Sequence, residues 1–318
     1  MRVAAIDCGT NSIRLLIADI DDSNFREVVR DMEIVRLGQG VDETGQFHPD
    51  AIERTLAAVD KFAAEIAKRG VEKIRFCATS ATRDATNRHF FVDGVRERLG
   101  IEPEVISGDE EAALSFAGAI KDLDPSNGPF LVVDIGGGST EFVFGTSTVE
   151  AARSVNIGCV RMTERHFASD PATPEQIELA RADIQAAIAQ AAAVVPITKA
   201  HTLVAVAGTA TTVAAAALNL SEYDRYSIHL SRISAQQVHD ASIMFATKTR
   251  EQRLSLGYMH PGRVDVIAAG SLVLSEIMKA TEASEFVASE SDILDGMAFS
   301  LVHSFPTRRS SDHRKSVV

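Results

Sequence analysis

Two short apolar runs open the chain. Residues 2–8 and 13–20, the second carrying Ile13, Leu15, Leu16, Ile17 and Ile20, flank the polar turn Asp7-Cys8-Gly9-Thr10-Asn11-Ser12 and predict a hairpin. The same arrangement returns later. Phe130-Leu131-Val132-Val133 enters Asp134-Ile135-Gly136-Gly137-Gly138-Ser139, and Glu141-Phe142-Val143-Phe144 leaves it. The pattern strand, D-x-G-x-x-S, strand therefore occurs twice, and an internal repeat of a turn predicts two related halves. Between the copies the pattern predicts helices near 50–69, 87–99 and 108–121, with strands at Ile74–Ala78 and Glu104–Ile106. Alternating strands and helices predict α/β layers.

After the second turn the pattern predicts a strand beginning near Ala151, a loop over Asn156–Arg161 and a helix over Pro174–Val194. A strand at Thr202–Ala207 and an alanine-rich helix after Gly208-Thr209 follow. A strand at Val264–Ala268, a helix through Leu272–Ala280 and a helix over Asp292–His303 complete the reading. The stretch Asp122-Leu123-Asp124-Pro125-Ser126-Asn127-Gly128-Pro129 has loop chemistry. It sets the expected boundary between an N-terminal domain, 1–125, and a C-terminal domain, 126–303. Residues 304–318 lose all apolar period and read as a disordered or non-native tail.

Composition agrees with this division. The chain has 318 residues, 45% hydrophobic and 24% charged, enough for two domains of roughly 100–200 residues. Three scattered cysteines without a CxxC pair argue against a disulfide framework and predict a reducing, cytoplasmic setting. The few apolar residues before Asp7 are too short for a signal-peptide core, and no apolar run approaches the ~20 residues of a membrane span. The net charge of −12 disfavours nucleic-acid binding, which needs a basic footprint. It does not disfavour a phosphate ligand, because a site is governed by its local field.

The two turns carry the candidate chemistry. A phosphate needs several donors converging on it, and glycine lets backbone N–H groups approach and adopt φ > 0. Gly9, Thr10, Asn11 and Ser12, then Gly136, Gly137, Gly138 and Ser139, supply such donors. A Rossmann fingerprint fails, because Glu141 stands at its last position and a strand follows; a Walker A lysine is absent. The segment Ser107-Gly108-Asp109-Glu110-Glu111 places three acids at a helix start. Ser107 and Glu110 fit a capping box, and Asp109 suits the helix dipole. Glu111 is not needed for the cap. It shares a face with Leu114 and Gly118, and the pattern leaves open whether it points inward or into solvent. Asp134 and Glu141 read either as turn and strand-edge acids or as ligands for a hard cation. Asp7 is open in the same way. Arg83 reads as a phosphate fork or a surface ion pair; Arg263 and Asp265 read equally well as an internal pair.

These segments together resemble one family. The two turns and Gly208-Thr209 look like the actin, chaperone and sugar-kinase superfamily, with two actin-like (ASKHA, ribonuclease H-like) α/β domains around a cleft. More narrowly, Asp7–Ser12, Ala78–Arg83, Ile106–Ala112, Asp134–Glu141, Ala207–Thr209 and Arg263–Ile267 occur in the order of the exopolyphosphatase / guanosine pentaphosphate phosphohydrolase family. The length resembles its short, two-domain type. The resemblance implies hydrolysis of terminal phosphate from inorganic polyphosphate, with Glu111 as general base, Asp134 and Glu141 as Mg²⁺ ligands, and Arg83, Gly208 and Thr209 on phosphate. It also implies a homodimer. The alternatives are hydrolysis of the 5′ phosphate of guanosine pentaphosphate (pppGpp), a kinase of the same superfold, and a non-catalytic nucleotide- or alarmone-binding module.

Overall fold

The computed structural model describes residues 1–21 and 24–302. The tail expected at 304–318 lies outside the described residues. The first half forms a five-stranded mixed sheet from β1 (Arg2–Cys8), β2 (Ser12–Ile20), β3 (Phe25–Ile34), β4 (Lys73–Ala78) and β5 (Glu104–Val105), in the order β3-β2-β1-β4-β5. The second half forms a six-stranded sheet. Its strands are β6 (Phe130–Ile135), β7 (Thr140–Gly145), β8 (Val149–Val155), β9 (Thr202–Val206), β10 (Arg232–Ser234) and β11 (Glu285–Ala288), in the order β8-β7-β6-β9-β11-β10.

The sheets are built alike. β2 pairs antiparallel with β1 and β3, and β4 runs parallel to β1 and β5. Correspondingly, β7 pairs antiparallel with β6 and β8, and β9 runs parallel to β6 and β11. This is the repeated actin-like, ribonuclease H-like topology, with β10 added at one edge. Each D-x-G-x-x-S turn joins the first two strands of its half.

Local sequence accounts for the helices. Pro49–Arg69 starts with proline in its first turn after His48 and stops at Gly70, which has φ +63°. Pro174–Ala192 opens on a full capping box between Thr173 and Gln176. Gly108–Ile120 opens on Ser107, whose hydroxyl accepts from the Glu110 N–H at 3.2 Å; the Glu110 side chain instead meets Arg75 at 2.7 Å, so only half the expected box forms.

The helix Gly108–Ile120 lies between the two sheets. Leu114 packs with Val3, Ala5 and Leu16 of the first sheet. Ala112, Phe116 and Ala119 pack with Phe130, Val132 and Val143 of the second. The last helix, Ile293–Ser300, returns to the first sheet through Ile293, Leu294 and Met297. Both helices thus bring the two halves to one place, where Glu111 and Asp292 stand.

Three expectations are corrected. Val264–Ala268 is not a strand; turns run to Val266 and a helix covers Ile267–Thr281. A five-residue apolar alternation is too short to distinguish the two, and the preceding Pro261-Gly262 starts a turn. Asn156–Arg161 is not all loop: the helix Cys159–His166 begins within it. The helix expected to end at His303 ends at Ser300, and His303 lies outside the described residues. The three cysteines are free and buried. No helix among the described residues is long and apolar enough to cross a membrane.

Candidate active site

The two turns are made the same way. In the first, the Gly9 N–H donates to the Ser12 carbonyl at 2.9 Å; in the second, the Gly136 N–H donates to the Ser139 carbonyl at 3.0 Å. The other carbonyls are tied backwards, by residues following the third strand of each half. Val35 and Arg36 donate to Asn11, and Gly38 donates to Thr10. Cys159 donates to Gly136, and Val160 and Arg161 donate to Gly137. The N–H groups of Thr10, Asn11, Gly137, Gly138 and Ser139 have no acceptor among the described residues. Apart from the Gly9 carbonyl, the turns therefore present free donors with their acceptors engaged, which is the form of an anion-binding nest.

The turns meet across one cavity. A Cβ on Gly137 would fall 2.8 Å from the Thr10 Cβ and 3.2 Å from the Asn11 nitrogen. Close approach, rather than φ > 0, is what demands glycine here: neither Gly9 nor Gly136, Gly137 or Gly138 has a positive φ. The expected left-handed backbone is thus corrected to a steric requirement at Gly137 and Gly138, while a Cβ on Gly9 would meet nothing nearer than 3.6 Å. The cavity is lined by Gly9, Thr10, Asn11, Ser12, Gly136, Gly137, Gly138, Ser139, Gly208 and Thr209, together with Asp7, Arg14, Glu111, Asp134 and Arg263. At its far wall, Ala207 takes φ +65° where β9 turns into the helix Ala207–Ala217. A non-glycine residue there is strained, and such strain concentrates at functional sites.

The acids around the cavity differ in their compensation. Asp7 is buried but receives Arg14 at 2.7 Å, and Arg14 also contacts Asp292. Burial still raises the Asp7 pKa, against the pull of Arg14. Asp134 is buried with a hydroxyl partner, Ser115, at 2.6 Å. Burial first, then the Asp292 charge, push it up to about 6. Glu141, opposite Asp134 on β7, does not line the cavity; it accepts from Ser154 at 2.7 Å through Oε1. Its Oε2 is buried without a hydrogen-bond partner. Burial, with the charges of Glu111 and Asp134, holds its pKa well above the ordinary range. Glu111 is 9% exposed on its helix, while Asp109 is exposed. Burial raises Glu111 to about 7 against the opposing Arg83, with Asp134 and Asp7 adding to the rise.

Arg83 does not line the cavity. It donates to Glu111 Oε2 at 2.7 Å and to the Ile106 carbonyl at 3.0 Å. Arg263 does line it and has no carboxylate partner among the described residues; its contacts are Thr212 Oγ1 at 3.4 Å and Met32 Sδ at 3.5 Å. The Arg263–Asp265 pairing considered from sequence does not form, because Asp265 meets Arg36 and Arg250, each at 2.7 Å. Arg14, Asp292, Ser115 and Ser154 went unnoticed in the sequence. Arg14 sits two residues beyond Ser12, on the face of β2 that shares Asp7, and that register was a usable signal.

A buried cluster of acids short of cations attracts a hard cation and resists deprotonation without one. No group of three or more His, Cys, Asp or Glu side chains among the described residues could hold a metal ion. Mg²⁺ commonly uses only one or two carboxylates and completes its shell with water and substrate phosphate. Asp134, which lines the cavity, fits that form of site; Glu141 pairs with it across the strands and keeps a buried oxygen without a partner among the described residues, but does not itself line the cavity.

Comparison with known proteins decides the family. Residues 16–305 match the Ppx/GppA phosphatase family. This chain belongs to it. It is 45% identical to Exopolyphosphatase 2 of Mycobacterium tuberculosis over 313 residues, covering 94% of this chain and 98% of that protein. The crystal structure of an exopolyphosphatase-like protein superposes with a TM-score of 0.91 at 44% identity, covering 94% of this chain and 97% of the other. The guanosine-5′-triphosphate,3′-diphosphate pyrophosphatase of Vibrio atlanticus is 36% identical over 165 residues, covering 52% of this chain and 33% of that protein.

Proposed function

We propose that this chain is an exopolyphosphatase, releasing terminal orthophosphate from inorganic polyphosphate by attack of water. The observation that carries the reading is the pair of like-built turns, their free N–H groups facing a cavity bordered by under-compensated acids. Phosphoryl transfer asks a protein mainly for positioning and charge stabilisation. The N–H groups of Thr10, Asn11, Gly137, Gly138 and Ser139 grip phosphate oxygens, with Gly9, Ser12, Gly136, Gly208 and Thr209 shaping the cradle. Glu111, with its pKa raised to about 7, accepts the proton of the attacking water. Arg83 acts on this proton transfer through its ion pair with Glu111.

Asp134 and Glu141 hold a divalent cation, Mg²⁺, which when bound neutralises charge on the phosphoryl oxygens. Burial raises the pKa of both acids, so each resists ionisation where no positive charge compensates it. The domain reading, 1–125 and 126–303, places one turn in each unit and Glu111 on the helix wedged between them. The expected setting is cytoplasmic and the expected assembly a homodimer.

The match to the pyrophosphatase covers half this chain and a third of that protein, whereas the match to Exopolyphosphatase 2 spans nearly all of both. That contrast favours polyphosphate over pppGpp. The test is orthophosphate release in Mg²⁺ from polyphosphates of several lengths, from pppGpp and from ATP. The expected result is release from polyphosphate with the highest kcat/KM. Faster turnover of pppGpp would transfer the assignment to the 5′-phosphohydrolase. Substrate binding without release would make the chain a binding module.

A further inference from the structure

The helix Cys159–His166 is short, yet it touches both halves of the molecule. Its start lies against the second turn: Gly158, which precedes it, would place a Cβ 2.2 Å from the Gly137 carbonyl carbon and 2.4 Å from the Gly138 nitrogen. Arg161, Glu164 and Arg165 share one face at helical spacing, and that face meets residues 40–42 of the first half. Glu164 accepts from the Gly40 N–H at 3.2 Å, and Arg165 meets Asp42 at 3.1 Å. Arg161 does more than bridge. Its Nε donates to the Gly138 carbonyl at 2.7 Å, its Nη2 to Asp84 at 2.6 Å and its Nη1 to Asp42. Its side chain is only 11% exposed.

The bond to Gly138 has a consequence for the turn. A carbonyl and the following N–H lie in one planar peptide. Fixing the Gly138 carbonyl fixes the direction of the Ser139 N–H, one of the donors without an acceptor in the second nest. The planar guanidinium holds this carbonyl and two carboxylates of the other half at once, which the point charge of a lysine cannot reproduce. We propose that Arg161 is a positioning residue that aims the Ser139 N–H into the cavity and, through Asp42 and Asp84, makes that aim depend on the two halves being closed together. The proposal rests on the reading of the turns as a phosphate clamp. Asp42, Asp84 and Arg161 then act as one unit, and the second nest is complete only in the closed arrangement.

Four variants test this: Arg161→Met, Arg161→Lys, the double variant Asp42→Asn/Asp84→Asn, and the triple variant combining Arg161→Met with both. Measured quantities are kcat/KM for orthophosphate release from polyphosphate, and amide hydrogen exchange of the bonded turn amides Gly136, Cys159 and Val160 without substrate. A misplacement of about 1 Å can cost on the order of 10²-fold in rate. Arg161→Met is therefore expected to lower kcat/KM by about 10–100-fold, with the double variant similar and Arg161→Lys restoring only part. The triple variant is expected to lose no more than Arg161→Met, because residues acting as one unit are non-additive. Exchange should quicken at Gly136, Cys159 and Val160, whose N–H groups donate to the carbonyls of Ser139, Gly136 and Gly137, and stay unchanged in the helix Pro174–Ala192. Multiplying losses in the triple variant, an Arg161→Met within twofold of wild type, or exchange that quickens throughout the second half would overturn the proposal. If wild type releases no orthophosphate, the proposed function fails, and the local exchange pattern still decides the clamp.

Discussion

The two turns share a backbone and differ in their charges. In the first half, Asp7 faces Arg14, and Arg14 is shared with Asp292, which Arg14 and Arg30 together hold below its ordinary pKa despite burial. In the second half, Asp134 and Glu141 have only hydroxyl partners among the described residues, and one oxygen of Glu141 has none there. The acid of the first turn is thus paired with an arginine of the chain itself, while the acids of the second are not. Duplication explains the common hydrogen bonds. The difference lies in side chains, and under the proposed function both halves grip phosphate while the second also holds the cation.

The largest expected effect comes from the acid between the halves. Glu111→Gln removes the proton acceptor while keeping the shape, and kcat is expected to fall by about 10²–10⁴-fold with KM little changed. Phosphate release kinetics check this, and an unchanged kcat would remove Glu111 from the base role. The next effect breaks the compensated side. Arg14→Met leaves Asp7 and Asp292 buried without their cation, and removing one partner of a buried pair costs about 3–5 kcal/mol. Denaturant unfolding should show that loss.

Breaking the uncompensated side should do the opposite. Asp134 and Glu141 have raised pKa values, so the folded protein binds more protons than the unfolded chain between roughly pH 4 and 7. Stability in chelator should therefore fall as pH rises through that window. Asp134→Asn should raise stability in chelator at pH 7.5 by about 1–2 kcal/mol while raising the Mg²⁺ requirement for turnover. Thermal unfolding with and without Mg²⁺ measures both sides; a variant less stable in chelator would contradict the account. The smallest effect concerns Arg83, which opposes the rise at Glu111. Arg83→Met should move the acidic limb of kcat/KM upward by about one pH unit. No movement would mean that Arg83 serves phosphate directly.

The repeated D-x-G-x-x-S turns made the two-half architecture legible, because each sits between apolar runs that can only be strands. The pattern left Glu111 open between an inward and a solvated position; the family resemblance singled it out, and the sheets on either side of its helix bury it. Arg14 and Asp292 were not legible. They lie 278 positions apart, and their pairing depends on the last helix returning to the first sheet. Val264–Ala268 misled because Val264, Val266 and Ala268 alternate as in a strand while the backbone turns and enters a helix. Arg161 stood in a segment with too little period to reveal its helix, and its three partners come from distant parts of the chain.

The claim that the second turn awaits a cation is tested most directly by calorimetry of Mg²⁺ binding, with orthophosphate present, at pH 6.5 in two buffers of different ionisation enthalpy. The acids that hold protons in the metal-free protein must release them when the ion binds. The expected result is release of about one proton per Mg²⁺, lost in Asp134→Asn. Mg²⁺ binding without proton release, or binding unaffected by Asp134→Asn, would contradict it.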